Sequence, residues 1–402
     1  MAQKKLLLLG GSSQQVVAIQ RAKELGYYTV LCDYLLDNPG QYVADKYYNA
    51  STTDVEAVYD IAQKEHVDGI LAYASDPAAL PAAIVCERLG LPTNPVKSVE
   101  ILGLKYPWRQ FLKENGFACP KAIAFTPQIT LSDFEKMVKD FTFPIVIKPT
   151  DSSGSKGVSV LENLDDLSKA IQWADFYSRN KTLIVEEFIS RGFPYVIGGD
   201  IFVWNGKIVL NGEMSCLRDD NGKSLIPIGK KKPSGLNDIQ RKNVHDELQR
   251  LVSMLGILFG ELNIEILLDK ENKVHFLELG PRAGGNMIPL QLSDAWGIDL
   301  VKANVQAAMG VDPRLVLHEQ PGCYFTYVLH SHLDGLFKDI EYSDEILPYI
   351  YRKVIYKKEG DAVKAFDGAG KALGILFIHV DTEEQMNDFC NRMDTLVRVK
   401  LK

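Results

Sequence analysis

The chain has no stretch approaching the roughly 18 consecutive apolar residues of a membrane span, although 46% of its 402 residues are apolar. That apolar content serves buried cores, enough for two or more domains of ordinary size. Cysteine is scarce: the six residues, Cys32, Cys86, Cys119, Cys216, Cys323 and Cys390, are scattered without paired spacing, so neither a disulfide framework nor a zinc site is suggested. Positive charge is not in excess either. With 45 basic against 52 acidic residues and a net charge of −7, there is no global field for a polyanion, nucleic acid is not an expected partner, and any phosphate site must be local. The run Leu6 to Leu9 is too short for a signal-peptide core and passes straight into a glycine turn. A reducing, cytoplasmic setting follows as the expectation. Two phosphate-binding signatures are also missing, the G-x-x-x-x-G-K-[ST] loop and the full G-x-G-x-x-G turn. No Ser/His/Asp or Cys/His arrangement offers a protein nucleophile.

What is present centres on residues 261–286, ELNIEILLDKENKVHFLELGPRAGGN. Two apolar runs, Leu262 to Leu268 and Val274 to Leu279, flank a polar turn and read as a β-hairpin. Each run is interrupted by one carboxylate, Glu265 and Glu278. Side chains alternate along a strand, so an even-numbered turn loop sets both acids on one face, roughly 4.5–8 Å apart at Cβ. Acids that close repel unless a cation lies between them, and hard divalent ions take oxygen ligands of this kind. Arg282 follows just past the second strand, where a guanidinium could meet a phosphate bidentately. The alternative is that Glu265 faces solvent and Glu278 pairs with Arg282.

The N-terminal stretch alternates strand and helix. Residues 4–10, 28–32 and 69–72 read as strands, with helices over 16–25 and 54–64 between them, so an open parallel sheet is expected. Gly10-Gly11-Ser12-Ser13 could hold an anion at a helix N-terminus, and Asp33 lies where a dinucleotide-binding unit keeps its ribose acid; a tight turn is the simpler reading. Ser75 and Asp76 fall at the carboxyl edge of this sheet, as ligand contacts or as helix caps. A boundary is expected near residue 100. Beyond it a helix carries Lys105, and the buried strand FPIVIKP carries Lys148, whose ammonium requires an anionic partner. The loop TDSSGSKGV follows, with Ser153, Gly154, Ser155, Lys156 and Gly157, small residues whose backbone N–H groups could cradle phosphates. LIVEEFI, 183–189, reads as an edge strand ending in Glu186 and Glu187, able to read an adenine edge. Asn205-Gly206 marks a hairpin turn, Lys230-Lys231-Lys232 reads as a basic, solvated loop, and 311–402 reads as a small α/β unit.

Taken in order, Lys105, FPIVIKP, DSSGSKGV, VEEFI and the acid hairpin ending ELGPRAGGN resemble the ATP-grasp superfamily over about residues 1–310. The resemblance implies an α/β fold with a Rossmann-like domain at 1–100, a two-part ATP-grasp domain at 101–310 whose nucleotide-binding part spans about 115–185, and a C-terminal α/β domain at 311–402. It implies that Lys105 and Lys148 contact ATP phosphates, that Ser153 to Gly157 cover them, and that Glu186 with the backbone of Glu187, Phe188 and Ile189 holds adenine. Glu265 and Glu278 would bridge Mg²⁺ or Mn²⁺, and Arg282 would hold the γ-phosphate and the acyl-phosphate formed from it. Two features depart from the family. Gly280 stands where an Asn metal ligand is common, a variant similar to that of L-amino-acid ligases, and the ribose carboxylate is not evident, with Asp200 left unassigned.

The implied activity is ligation of a small-molecule carboxylate to an amine through an acyl-phosphate, with ADP and phosphate released and no membrane partner; a homodimer is compatible with it. A phosphoribosylglycinamide synthetase-like or carboxylase-type reaction is the alternative within the superfamily. A nucleotide-binding module without catalysis is the alternative outside it.

Overall fold

The computed structural model describes residues 3–152, 156–219 and 226–402. Strands β1 (Lys5–Leu9), β2 (Tyr28–Asp33), β3 (Lys46–Asn49) and β4 (Gly69–Leu71) form a parallel sheet in the order β3-β2-β1-β4. The unbroken leucine run of β1 suits a strand covered on both faces. Leu7 and Leu9 enter one core with Val30, while Leu6 and Leu8 enter another with Leu31. Strand β3 had no clear apolar signal. Asp33 is turned inward, accepting from the N–H groups of Gly11 at 2.7 Å and Leu35 at 2.8 Å. It therefore ties down the glycine turn, the simpler of the two readings.

A second sheet holds β5 (Ala122–Phe125), β6 (Ile145–Pro149), β7 (Ser159–Leu161) and β8 (Leu183–Glu187) in the order β5-β8-β6-β7. Helices Leu131–Met137 and Leu167–Tyr177 cover one face, where Phe134, Ile145, Ile147, Ala174 and Val185 pack together. Lys148 and Glu186 line the cavity on the opposite face. Strand β8 lies inside this sheet, paired on both sides, and is not the edge strand expected from its sequence.

The largest sheet begins with β9 (Ile197–Trp204), β10 (Lys207–Arg218), β11 (Pro227–Lys232), β12 (Phe259–Leu268) and β13 (Val274–Gly280). The chain then adds β14 (Cys323–Leu329), β15 (Gly335–Tyr342), β16 (Ile350–Ile355), β17 (Ala362–Val363), β18 (Gly374–Val380) and β19 (Val397–Leu401). Eight of these strands run in the order β13-β12-β9-β10-β11-β14-β18-β16, and β17-β15-β19 form a small sheet. The segment after 311 thus contributes three strands to the large sheet as well as a sheet of its own. Helix Asp238–Leu255 starts at a capping box between Asn237 and Gln240 and buries Val244, Leu248, Leu251 and Val252 against the sheet.

The lysine run is not a solvated loop. Lys230, Lys231 and Lys232 are buried on β11. Lys231 donates to Tyr195 Oη at 3.0 Å and Asn387 Oδ1 at 2.6 Å, Lys232 meets Glu319 at 2.7 Å, and Lys230 Nζ lies 2.9 Å from Cys216 Sγ. Long alkyl stems lie along the packed surface while these partners take the ammonium heads. All six cysteines are unbridged, and among the described residues no helix is long and apolar enough to cross a membrane.

Candidate active site

The acid hairpin is built by β12 and β13. Its ladder runs Leu268↔Val274, Leu267↔His275 and Ile266↔Phe276, then shifts register so that Glu265 faces Glu278 and Ile264 faces Leu279. Glu265 and Glu278 are directly opposite, as expected, but the turn between the strands is odd, residues 269–273, so an even loop is not what brings them together. An unbroken ladder would set Glu265 opposite Leu277. A bulge at Leu277 supplies the missing residue and re-aims Glu278 at Glu265, which is what bulges beside functional sites do.

The two acids stand on the wall of a cavity of about 230 Å³ between the second sheet and the large sheet. Lys105 Nζ lies 3.8 Å from Glu278, and Arg218 Nη2 lies 3.9 Å from Glu265. Glu278 is set deep in the protein, yet 39% of its side chain opens to the cleft. Burial raises its carboxyl above the usual range; Lys105 opposes this and the charge of Glu265 adds to it. A facing acid pair whose nearby cations leave one member raised is a donor set suited to a hard divalent ion.

Across the cleft, Lys148 on β6 meets Glu186 on β8 at 2.6 Å. Arg109, buried on helix Lys105–Glu114, donates from Nε to Glu186 Oε1 at 2.8 Å and from Nη1 to the Phe276 carbonyl at 2.7 Å. Burial alone would lift the Glu186 carboxyl, but Arg109 and Lys148 outweigh it and hold it at about 2. Burial also pushes the Lys148 ammonium down, with Glu186 opposing. The anionic partner required by Lys148 is thus supplied within the protein. Both oxygens of Glu186, the residue expected beside adenine, are engaged by cations in this structure. Glu187 is likewise engaged, accepting from the Thr142 N–H at 2.9 Å and lying 3.1 Å from Lys121. Phe188 N–H donates to the Pro144 carbonyl at 3.0 Å. Phe188 and Ile189 line the cavity with Val146, Val160 and Leu277, an apolar slot fit for a flat base.

Lys105 also donates from Nζ to the Ser152 carbonyl, and Lys156 reaches the same cavity. Gly157 adopts φ +74°, and a Cβ there would lie 3.0 Å from Pro149 Cδ, so this turn requires glycine. Ser153, Gly154 and Ser155 lie outside the described residues.

Arg282 pairs with Asp76, and the alternative pair with Glu278 is not formed. It donates bidentately to Asp76, Nε to Oδ1 and Nη2 to Oδ2, each at 2.7 Å, and so pairs neither with Glu278 nor toward the 230 Å³ cavity. Asp76 opens helix Asp76–Leu89 after the first sheet, so this clamp joins the parallel sheet to the acid hairpin. It also accounts for Gly280. A Cβ at that position would lie 3.2 Å from Arg282 Cζ and 3.2 Å from Asp76 Oδ1, a tight fit that the clamp would have to shift to admit. Asp200 is fully buried, accepting from Asn263 Nδ2 and Gly284 N–H at 2.7 Å each. Beside it Glu261 is raised well above the carboxylate range by burial and by the Asp200 charge.

Arg109 and Arg218 were missed from sequence. Lys105 and Arg109 share one face of a helix at i, i+4, which was a usable signal; Arg218 ends a long strand and carried none. A larger cavity of about 1090 Å³ adjoins the cleft, and Arg191 and Arg218 line both.

A strand lysine beside a glycine-bearing turn, set across a cleft from opposed hairpin acids, defines an ATP-grasp ligase. The chain belongs to the family described as carbamoyl-phosphate synthase L chain, ATP binding domain, whose model matches residues 106–315. A carbamoyl phosphate synthase large chain from Pseudothermotoga lettingae is 24% identical over 273 residues, covering 67% of this chain and 24% of that one. The chain thus spans about a quarter of that relative's length. A formate-dependent phosphoribosylglycinamide formyltransferase from Wolinella succinogenes is 28% identical over 293 residues, covering 69% of this chain and 70% of its own. Among solved structures, an L-amino acid ligase from Bacillus licheniformis aligns over 100% of both chains with a TM-score of 0.82 at 20% identity. A phosphoribosylglycinamide synthetase from Anaerococcus prevotii does so with a TM-score of 0.79 at 19% identity. These two likenesses show the shared α/β fold.

Proposed function

We propose that the protein joins a small-molecule carboxylate to an amine at the expense of ATP, through an acyl-phosphate, with ADP and phosphate released. The observation that carries this reading is the facing pair Glu265 and Glu278 with Lys105, Lys148 and Arg218 around one cleft. The acid pair suits Mg²⁺ or Mn²⁺, which would supply neutralisation of phosphate charge. The lysines hold the β- and γ-phosphates, and Phe188 and Ile189 bound the base. A substrate carboxylate oxygen then attacks the γ-phosphorus as the bond to the β-phosphate oxygen breaks. The amine attacks the acyl carbon, phosphate leaves, and the nitrogen loses a proton. Fixed cations stabilise the spreading charge without reorganising, so no protein nucleophile is needed. The division at about residues 100 and 310 belongs to the same proposal, as does a role for Arg282 beside the transferred phosphoryl group once its hold on Asp76 loosens.

Hydroxylamine tests the reading, because it intercepts an acyl-phosphate as a hydroxamate. In a screen over amino acids and small carboxylates, hydroxamate with ADP and phosphate is the expected product; AMP with pyrophosphate would exclude the scheme. Arg282→Ala should suppress hydroxamate more than ATP binding, since the developing charge is what the guanidinium meets. A second reading, with formate as carboxylate and phosphoribosylglycinamide as amine, is favoured by the likeness to the formyltransferases. Including both compounds in the screen separates the two.

A further inference from the structure

The 1090 Å³ cavity carries chemistry that the ligase reading does not use. His330 and His332 immediately follow β14, on the cavity wall. Asp219, the buried residue just after β10, faces them. One ligand atom from each of the three lies within 4.8 Å of the other two. The two imidazole rings stand 5.1 Å apart, nearly perpendicular, and His332 Nδ1 lies 3.8 Å from Asp219 Oδ2.

The orientation of His330 is set by its neighbours. Its Nδ1 lies 2.7 Å from the Val328 carbonyl. A carbonyl only accepts, so Nδ1 carries the proton and Nε2 keeps its lone pair. A ring nitrogen donating to a backbone carbonyl is the outer-sphere contact that orients metal-ligating histidines. Phe366, 4.6 Å away between ring centroids, holds the ring from one side.

We propose that Asp219, His330 and His332 form a site for a divalent transition ion of the zinc class, separate from the Mg²⁺ acids. Two imidazoles and one carboxylate match zinc and its neighbours, whereas Mg²⁺ takes an all-oxygen set. Among the described residues three ligands are supplied, the number used by zinc sites that keep a fourth position for water or substrate. The absence of a cysteine pattern hid the site, since its ligands come from two strand ends that meet only in the folded sheet. Arg218, next to Asp219, also reaches within 3.9 Å of Glu265, so the ion's charge would bear on the end of the cavity that joins the cleft. The proposal does not rest on the ligase reading.

The test uses chelator-treated full-length protein in excess Mg²⁺, titrated with Zn²⁺ by calorimetry and with Co²⁺ by visible absorption. Wild type should take up one equivalent of either, with tetrahedral Co²⁺ bands. Asp219→Asn and His330→Ala should each weaken Zn²⁺ more than about tenfold, the least that even outer-sphere changes cost. A circular dichroism spectrum and metal-free melting temperature like those of wild type verify that each variant is folded, and the MgATP-induced melting shift is recorded separately. Wild type without stoichiometric Zn²⁺, or variants that bind it as wild type does, would overturn the proposal. So would loss of Zn²⁺ in Glu265→Gln alone, which would put the ion at the other acids. If MgATP gives no shift even in wild type while the Zn²⁺ pattern holds, the ligase reading fails and the metal site stands.

Discussion

Replacing Glu186 with Gln removes the anion that two buried cations share while keeping the shape of the side chain. In the wild type Arg109 and Lys148 both contact this carboxylate; in the variant they face each other across a neutral amide. The carboxyl is held at about 2 against an ordinary 4.5, which corresponds to about 3 kcal/mol at roughly 1.4 kcal/mol per tenfold. Breaking a buried ion pair by removing one partner generally costs roughly 3–5 kcal/mol, so the two figures agree. Urea unfolding followed by circular dichroism should show a midpoint lower by roughly 1 M for a slope near 3 kcal/mol per M. The pH dependence has a definite sign. Glu186 is depressed in the folded state, so its contribution is complete above about 4.5 and is lost as pH falls toward about 2. The gap between wild type and variant should therefore narrow across that window. A gap below about 0.5 kcal/mol at neutral pH, the size of an ordinary surface change, would refute the argument, as would a gap that stays constant in acid.

Three further outcomes are expected. Glu278→Gln should lower ATP turnover at least about tenfold, a barrier change of about 1.4 kcal/mol, with an unchanged melting temperature; normal turnover would remove the acid pair from metal binding. Lys148→Ala should abolish the ATP-induced rise in melting temperature while costing less stability than Glu186→Gln, because Arg109 still pairs with Glu186; an unchanged ATP shift would make the lysine purely structural. Glu261 is raised in the folded state, so its contribution is full below its unfolded value and is lost as pH rises through the folded one. Glu261→Gln should accordingly lose less stability than wild type between mildly acidic and alkaline pH, and parallel stability curves would contradict the shared burial of Glu261 and Asp200.

The elements that sequence reveals here are those specified locally. Alternation and turn residues marked both hairpins, and the leucine run of β1 marked a strand of the parallel sheet. Lys148 on an apolar strand required an anion, and the fold provides one. What could not be read depends on contacts between distant parts of the chain. Nothing distinguishes Leu277 from its apolar neighbours, although the bulge there brings Glu278 opposite Glu265. Arg282 and Asp76 are 206 residues apart, and no periodicity links them. Three consecutive lysines look solvated until Tyr195, Asn387 and Glu319 are brought against them by two loops and a helix. Glu186 read as a strand-end acid because Arg109, its buried partner, sits on a helix 77 residues earlier.

The continuity of the large sheet decides where this protein can be cut. Strand β11 pairs with β14 through Lys231↔Phe325 and Lys232↔Tyr324, and Gln291 Nε2 bridges the carbonyls of Lys230, at 2.9 Å, and Tyr324, at 3.3 Å. A fragment ending near residue 310 would keep the nucleotide cleft but strip β11 of its neighbour. Its N–H and C=O groups would become an open template for pairing with other chains, and Lys231 would lose Asn387. Such a fragment is prone to self-association however complete its active site. Expression of an isolated catalytic portion therefore needs the segment through β18 and β16, or charged substitutions along the bared edge.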